Sequence, residues 1–188
     1  MGYAAGALHR LGRTEESITR LNEAAGHLRQ QTGSPARLAE LTVLNTLGHH
    51  LRQAGRPHEA LTVHRRSESI FQAGVPGKPP ELIGLYLAVT RQHLGNDLGA
   101  LHRLHEAEEP LRHALTHFEA AHMPAWSEPA RLDLGILLRR MRRYREAHET
   151  LTTAHHALIH LNNPRQTEAA DQLHQLDIAL GPTGHPTG

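Results

Sequence analysis

Histidine is the residue type in this chain with the most obvious capacity for chemistry, since there are 18 among 188 residues. Imidazole binds transition metals and transfers protons near neutral pH. Three His-Glu pairs could begin the zinc-protease motif His-Glu-x-x-His, with histidines at His58, His105 and His148. The second histidine of that motif is replaced by Thr62, Glu109 and Thr152. The sequence therefore excludes a metalloprotease of this type.

Two further histidine pairs are spaced one helical turn apart, namely His113 with His117 and His156 with His160. This spacing allows two nitrogens on one helix face to chelate a divalent metal. Two nitrogens alone rarely complete a four-ligand site. We therefore interpret both pairs as parts of solvated helix faces, and we predict no metal and no other cofactor.

Other catalytic patterns are also missing from the sequence. The acidic patch Glu106, Glu108 and Glu109 implies no pocket for acid–base work. There is no Gly-x-Ser-x-Gly elbow, no phosphate loop and no glycine-rich dinucleotide fingerprint. The absence of cysteine excludes disulfides, thiolate metal sites and a cysteine nucleophile. We therefore expect a chain that is not an enzyme.

Composition favours helices as the elements that position these residues. Only two Phe, one Trp and three Tyr are present, which argues for packing by Leu and Ala rather than for sheets. A net charge of +1 gives no general electrostatic case for binding nucleic acid. No membrane span or secretion signal is predicted, so a cytoplasmic location is expected. Lys78 is the one lysine beside abundant arginine, a bias typical of high-GC genomes such as those of actinobacteria.

Four segments share a pattern in which an apolar helix, a short turn and a second helix follow one another. We align their turns at residues 12, 55, 95 and 142, which gives steps of 43, 40 and 47 residues, typical of helical repeat arrays. Gly12, Gly55 and Gly95 are predicted to end the first helix of a pair, because glycine accepts the left-handed conformation. Small residues in the second helices would let paired helices approach closely, at Ala60, Ala100 and Ala147.

Proline- and glycine-rich breaks divide the chain into repeats over about 1–33, 36–75, 79–122 and 125–162, with a capping helix over 164–180. Together these make one predicted domain over 1–180. Pro110 is expected to kink or split the second helix of the third repeat. Trp126 is expected to pack between the third and fourth repeats. Residues 181–188 (GPTGHPTG) are predicted to be a disordered tail.

The residues of the second and fourth repeats resemble the tetratricopeptide signature. The second repeat has Leu47-Gly48, Leu51, Ala54-Gly55-Arg56, Ala60 and Ser67. The fourth has Leu134-Gly135, Leu138, Tyr144, Ala147 and Ala154. In the third, Arg91 occupies the aromatic-like position of the signature. The resemblance covers roughly residues 3–162 and implies an all-α, right-handed solenoid of about four helical hairpins plus the capping helix. The long period resembles the C-terminal arrays of actinobacterial transcriptional regulators.

The resemblance implies that a ligand lies along the inner surface formed by the first helices. The residues of this predicted partner-binding face are Asn45, His49, Arg52, Gln53, Gln92, His93, Arg139 and Arg140. Arginine suits carboxylates, and asparagine can hold a peptide backbone. The predicted partner is therefore a protein or peptide with acidic side chains or a free C-terminus. Binding is expected to depend on pH through His49 and His93.

Three alternatives to this interpretation are left open. The chain could self-associate as a homodimer, or it could sense a small molecule held within the superhelical groove. An enzyme is the least favoured reading, since no nucleophile, base and orienting group can be assembled. Direct contact with nucleic acid or a membrane is not expected. The leading prediction is an interaction module that serves as the sensing or docking part of a bacterial transcriptional regulator.

Overall fold

The computed structural model describes residues 12–31 and 33–180, and every regular element in this part of the chain is an α-helix. This confirms the predicted all-α repeat fold. The helices are α1 (Thr14–Arg29), α2 (Ser34–Gln53), α3 (Pro57–Gln72), α4 (Pro80–Ala100), α5 (Leu104–Ala120), α6 (Pro124–Arg140), α7 (Tyr144–His160) and α8 (Gln166–Leu180). Within the described ranges no helix is long and apolar enough to cross a membrane. The start of the first repeat and the predicted tail lie outside these ranges.

One short motif begins α1, α3, α5 and α7. An arginine precedes the helix and pairs with a glutamate three residues later, in the first turn. The pairs are Arg13–Glu16, Arg56–Glu59, Arg103–Glu106 and Arg143–Glu146. The glutamate also lies at the positive end of the helix dipole. The next residue is buried and small, which admits the neighbouring helix: Ser17, Ala60, Ala107 and Ala147.

The residue before each of these arginines turns the chain through a positive φ, as the helix-to-helix turn requires. The φ values are +75° at Gly12, +74° at Gly55, +60° at His102 and +60° at Arg142. Glycine takes this conformation without strain, whereas the histidine and arginine have a Cβ that disfavours it. The turn therefore follows from the repeat register and not from glycine alone.

The predicted turn at Gly95 is wrong, because this glycine lies inside α4, which continues to Ala100. The turn is at His102, seven residues further on. Gly95 is instead equivalent to Gly48 and Gly135, which also lie seven residues before their turns. Correspondingly, the buried small residue of the following helix is Ala107 and not Ala100, which is exposed. With the turns at 12, 55, 102 and 142, the steps become 43, 47 and 40 residues.

Pro110 neither splits nor ends its helix, since α5 runs without a break from Leu104 to Ala120. Trp126 in the first turn of α6 lies beside Phe118 of α5, with ring centroids 5.9 Å apart. The indole remains 44% exposed, so it lies at the edge of this helix pair and not in its core.

The helices form two compact units, one ending at His102 and the other beginning at Arg103. This boundary falls inside the residues 79–122 that were assigned to the third repeat, and the single domain over 1–180 stays a prediction. In the first unit α1 packs against α2, α2 against α3 and α3 against α4, and α2 also packs against α4. Leucines at the centre of α2 supply much of its core: Leu41, Leu44, Leu47 and Leu51.

In the second unit α5 to α8 pack in the same consecutive manner, and α6 also packs against α8. Its core is formed by completely or almost completely buried side chains that include Leu111, Phe118, Leu138, Leu151 and Leu158. The last helix contributes Ala169 and Leu176, while its exposed residues include Asp171, His174 and Gln175 and also Ile178, which is 66% exposed. A capping helix requires an apolar inner face and a polar outer face, so the role of α8 as a cap stays a prediction.

Candidate functional site

Most of the polar residues that interact inside the first unit lie between α2, α3 and α4. The centre of this arrangement is formed by His49 and Arg52 from α2, His64 from α3, and His93 and Asp97 from α4. We call these five residues the histidine cluster. Buried polar groups are normally satisfied by hydrogen-bond partners.

Asp97 is the anionic centre of the cluster, and its side chain is completely buried. Its two oxygens accept hydrogen bonds from different helices. Arg52 donates from Nη1 to Oδ1 at 3.2 Å, and His64 Nδ1 lies 2.6 Å from Oδ2. A buried carboxylate needs such partners, because an unpaired charge in the protein interior is strongly destabilising. Asp97 therefore ties α4 to both α2 and α3.

His64 is completely buried, and its ring lies close to Gly48 of α2. Gly48 makes this approach possible, because a Cβ at that position would come within 3 Å of three atoms of the His64 ring. His64 Nε2 lies 3.3 Å from the main-chain oxygen of Asn45. Both ring nitrogens of His64 are thus used by the protein itself.

His93 stacks on His64, with ring centroids 4.9 Å apart and planes inclined by 18°. The ring of His49 is also close, with a centroid distance of 5.8 Å from that of His93. Among the described residues, Nδ1 of His93 is the one buried side-chain polar atom without a hydrogen-bond partner. Burial lowers the pKa of His93 well below 6.5, and His64, Arg52 and His49 lower it further. The imidazole is therefore neutral at physiological pH.

A neutral hydrogen-bonded layer lies next to the cluster. Thr90 of α4 donates to the side-chain oxygen of Asn45 in α2 at 3.1 Å, and its hydroxyl is 3.4 Å from that of Ser67 in α3. On the other side of α2, Ser17 of α1 lies 2.8 Å from His50 Nδ1. These contacts fix the α2 side chains relative to α1, α3 and α4.

Six of the eight predicted face residues lie in the first unit, on α2 and α4. Asn45 is 7% exposed and its amide oxygen already accepts from Thr90, so it is mainly an interhelical contact. Arg52 has a side chain that is 19% exposed and is paired with Asp97. Gln53 is exposed, while His49, Gln92 and His93 are half-buried. The structure thus brings the six together along α2 and α4, and their role in binding stays a prediction.

The remaining two face residues, Arg139 and Arg140, lie at the end of α6 in the second unit. Both are half-buried, and Arg139 donates from Nε to Gln172 of α8 at 2.9 Å. Arg139 therefore helps to hold the last helix in place.

Sequence reasoning missed three residues of the site, namely His64, Thr90 and Asp97. The repeat register offers one signal, since His64 occupies the position of a buried leucine in α1, α5 and α7. In the described ranges no group of three or more histidine or acidic side chains could hold a metal ion. The cluster's contacts instead join three helices and leave a polar edge on α2.

The class of fold is defined by these features: antiparallel helical hairpins, a small buried residue after each turn, and second-neighbour packing of first helices. These features match a tetratricopeptide-like repeat fold, whose members generally act in protein–protein interaction. Residues 1–73 match the family model described as Tetratricopeptide repeat. No curated protein matches the chain.

Solved structures show the same fold at low sequence identity. The apo form of RapI is similar with a TM-score of 0.77 and 11% identity, over 94% of this chain and 61% of that one. BtubC (BKLC) from P. vanneervenii has a TM-score of 0.70 and 14% identity, over 90% and 67% of the two chains. A Podosopora anserina protein, named for kinesin light chain and nearly identical TPR-like repeats, has a TM-score of 0.69 and 14% identity, over 94% and 83%. This chain thus spans less than two thirds of the length of RapI.

Proposed function

We propose that this chain is a protein-interaction module whose binding surface is the polar edge of α2 and α4, formed by His49, Gln53 and Gln92. The observation that carries the proposal is that these side chains remain partly or fully exposed while the layer beneath them is fixed by Arg52 and Asp97. A rigid helical scaffold that presents amide and imidazole groups can bind a peptide backbone and its side chains with little ordering cost.

The partner that this edge suits is a peptide segment with acidic side chains or a free C-terminus. Imidazole and amide groups donate hydrogen bonds to carboxylates. In the second unit, Arg139 and Arg140 supply further positive charge for the same class of partner. We place the module in the cytoplasm, as the sensing or docking part of a bacterial transcriptional regulator. The support for that role is the sequence resemblance to actinobacterial arrays.

Binding is tested with fluorescent peptides that differ only in their ends and charge. A peptide with acidic residues and a free C-terminus is expected to bind, whereas its amidated, glutamine-substituted counterpart is expected to bind at least tenfold more weakly. Gln53→Glu with Gln92→Glu should abolish binding of the acidic peptide by charge repulsion. Gln72→Glu is the matched control, because Gln72 is exposed at the far end of α3.

Two outcomes would reject the proposed surface. One is equal affinity for the acidic and the neutral peptide. The other is an equal loss of affinity in the Gln53→Glu, Gln92→Glu double variant and in the Gln72→Glu control. Light scattering of the free chain, run in parallel, separates peptide binding from self-association. A thermal-shift screen of metabolites on the same protein tests the alternative of a small-molecule sensor.

A further inference from the structure

The environment of His93 accepts a neutral imidazole but not a protonated one. A neutral ring has one nitrogen that donates and one that accepts, whereas a protonated ring must donate from both. Nδ1 of His93 is buried and has no hydrogen-bond partner. Protonation would therefore place an unsatisfied, charged donor inside the first unit, which is among the costliest events in a protein interior.

The carboxylate of Asp97 cannot stabilise a protonated His93 without giving up one of its own partners. Both oxygens of Asp97 are already engaged, one by Arg52 and the other by His64. If Asp97 turned toward His93, it would leave at least one of those partners unsatisfied. Asp97 is thus already used to link α4 with α2 and α3.

The other ionisable groups around His93 are imidazoles and a guanidinium, or belong to ion pairs. From α2 come His49, His50 and Arg52, and from α3 comes His64, which stacks on the ring. Further along the helices, Arg91 of α4 pairs with Glu68 of α3, and Arg66 of α3 pairs with Glu40 of α2. Burial first, and then His64, Arg52 and His49, hold the pKa of His93 well below 6.5.

We propose that His93 is a proton-sensitive latch: α4 stays docked on α2 and α3 while its imidazole is neutral, and mild acid loosens the first unit. The consequence for function rests on the proposed binding surface, since loosening α4 would separate Gln92 from His49 and Gln53 and release the partner. The latch itself requires no ligand, so it can be tested on the free chain.

The direction of the pH effect follows from proton linkage. The pKa of His93 is lower in the folded chain than the ordinary 6.5 of the unfolded chain. Its contribution to stability is therefore complete above about pH 6.5 and is lost as the pH falls from there toward the folded-state pKa. Over that window one extra proton is taken up on unfolding, so the unfolding constant should rise about tenfold per pH unit.

The experiment compares urea unfolding of wild type and His93→Gln from pH 7.5 to 5.0, followed by far-UV circular dichroism. Glutamine is neutral throughout this range. The ratio of the wild-type to the variant unfolding constant should rise about tenfold per pH unit below pH 6.5. His58→Gln is the matched control, because His58 is exposed on α3, and its ratio should stay flat. Parallel pH profiles for wild type and His93→Gln would overturn the latch.

A second measurement uses the wild type alone, in case His93→Gln fails to fold. The ring carbon shifts of His93 and the exchange of α4 amide protons, corrected for intrinsic rates, are followed by NMR against pH. The latch predicts that the ring stays neutral below pH 6.5 and takes up its proton together with loss of α4 protection. A midpoint at or above 6.5 with α4 protection intact would contradict it. Because no peptide is present, failure of the latch and failure of the binding surface give different results.

Discussion

The substitution Gly48→Ala tests the closest helix approach in the first unit. Gly48 lies in the middle of α2, where alanine would normally be favoured over glycine by about 0.5–1 kcal/mol. Here the added methyl group would come within 3 Å of three atoms of the His64 ring, and its distance from Nδ1 would be 2.8 Å. The ring cannot simply rotate away, because Asp97 holds one edge and His93 covers one face.

The expected cost follows from the two ways in which this overlap can be relieved. If His64 stays, α2 and α3 must move apart, and overpacking of this kind costs about 1–3 kcal/mol. If His64 moves, its hydrogen bond to the charged Asp97 is lost, which costs about 1.5–3 kcal/mol. Since three ring atoms are affected, we take about 3 kcal/mol and subtract about 1 kcal/mol for helix propensity, which leaves a net loss of about 2 kcal/mol.

The assay is urea unfolding by circular dichroism, with hydrogen exchange to localise the loss to α2 and α3. Gly26→Ala is the matched control, since Gly26 is exposed inside α1 and no atom lies within 4 Å of its added methyl group. That variant should gain about 0.5–1 kcal/mol. The cost of Gly48→Ala should also shrink in a His64→Ala background, where the ring is absent. If Gly48→Ala stabilises the chain as Gly26→Ala does, the assigned packing of α3 on α2 is wrong.

Three more predictions concern ion pairs. Asp97→Asn should destabilise the first unit by about 3 kcal/mol in urea, because Arg52 loses its counter-charge; a change within error would refute the pairing. Arg165→Met should cost the second unit about 2 kcal/mol by removing the guanidinium that pairs with the buried Asp133, and an unchanged Trp126 fluorescence transition would contradict this. Partial burial of Glu108 raises its pKa, but the hydrogen bonds from Arg112 and Arg143 outweigh burial, so the pKa is lowered overall. Stability of the second unit should therefore be complete above the ordinary pKa of 4.5 and fall below it, so equal Trp126 transitions at pH 7 and pH 3.5 would be inconsistent.

The helices and their pairing could be predicted from the sequence because each is encoded locally. Apolar spacing, proline at helix starts and small residues after the turns all indicate the same repeat. The third turn was misplaced because Leu94-Gly95 resembles a helix end. The pairing of Arg103 with Glu106, which is repeated at the starts of α1, α3 and α7, was the better indicator, since it depends on a fixed spacing and not on glycine.

The binding face was harder to predict, because the partners of its residues are distant in sequence. The resemblance assigned Arg52 to the partner-binding face of α2, but no local pattern reveals that Asp97, 45 residues later, pairs with it. The same is true of Asn45, whose partner Thr90 is also 45 residues away. Contacts between successive repeats depend on helix lengths and crossing geometry, which no local pattern specifies.

The histidine cluster departs from the pattern that the chain itself uses elsewhere. Four residues after the buried small residue, α1, α5 and α7 have Leu21, Leu111 and Leu151, all almost completely buried. At this position α3 has His64, although leucine packs well there, as Leu151 shows against Gly135 in the second unit.

Replacing an apolar contact by a buried ion pair rarely increases stability, because desolvation offsets the attraction between the charges. A feature that breaks the local rule without a gain in stability is expected at functional sites. The exchange of leucine for His64, together with Asp97 and the neutral His93, converts a contact that ignores pH into one that depends on it. For this reason we expect regulation by protons in the first unit. The second unit has leucine at the equivalent position, so the same contact there should not depend on pH.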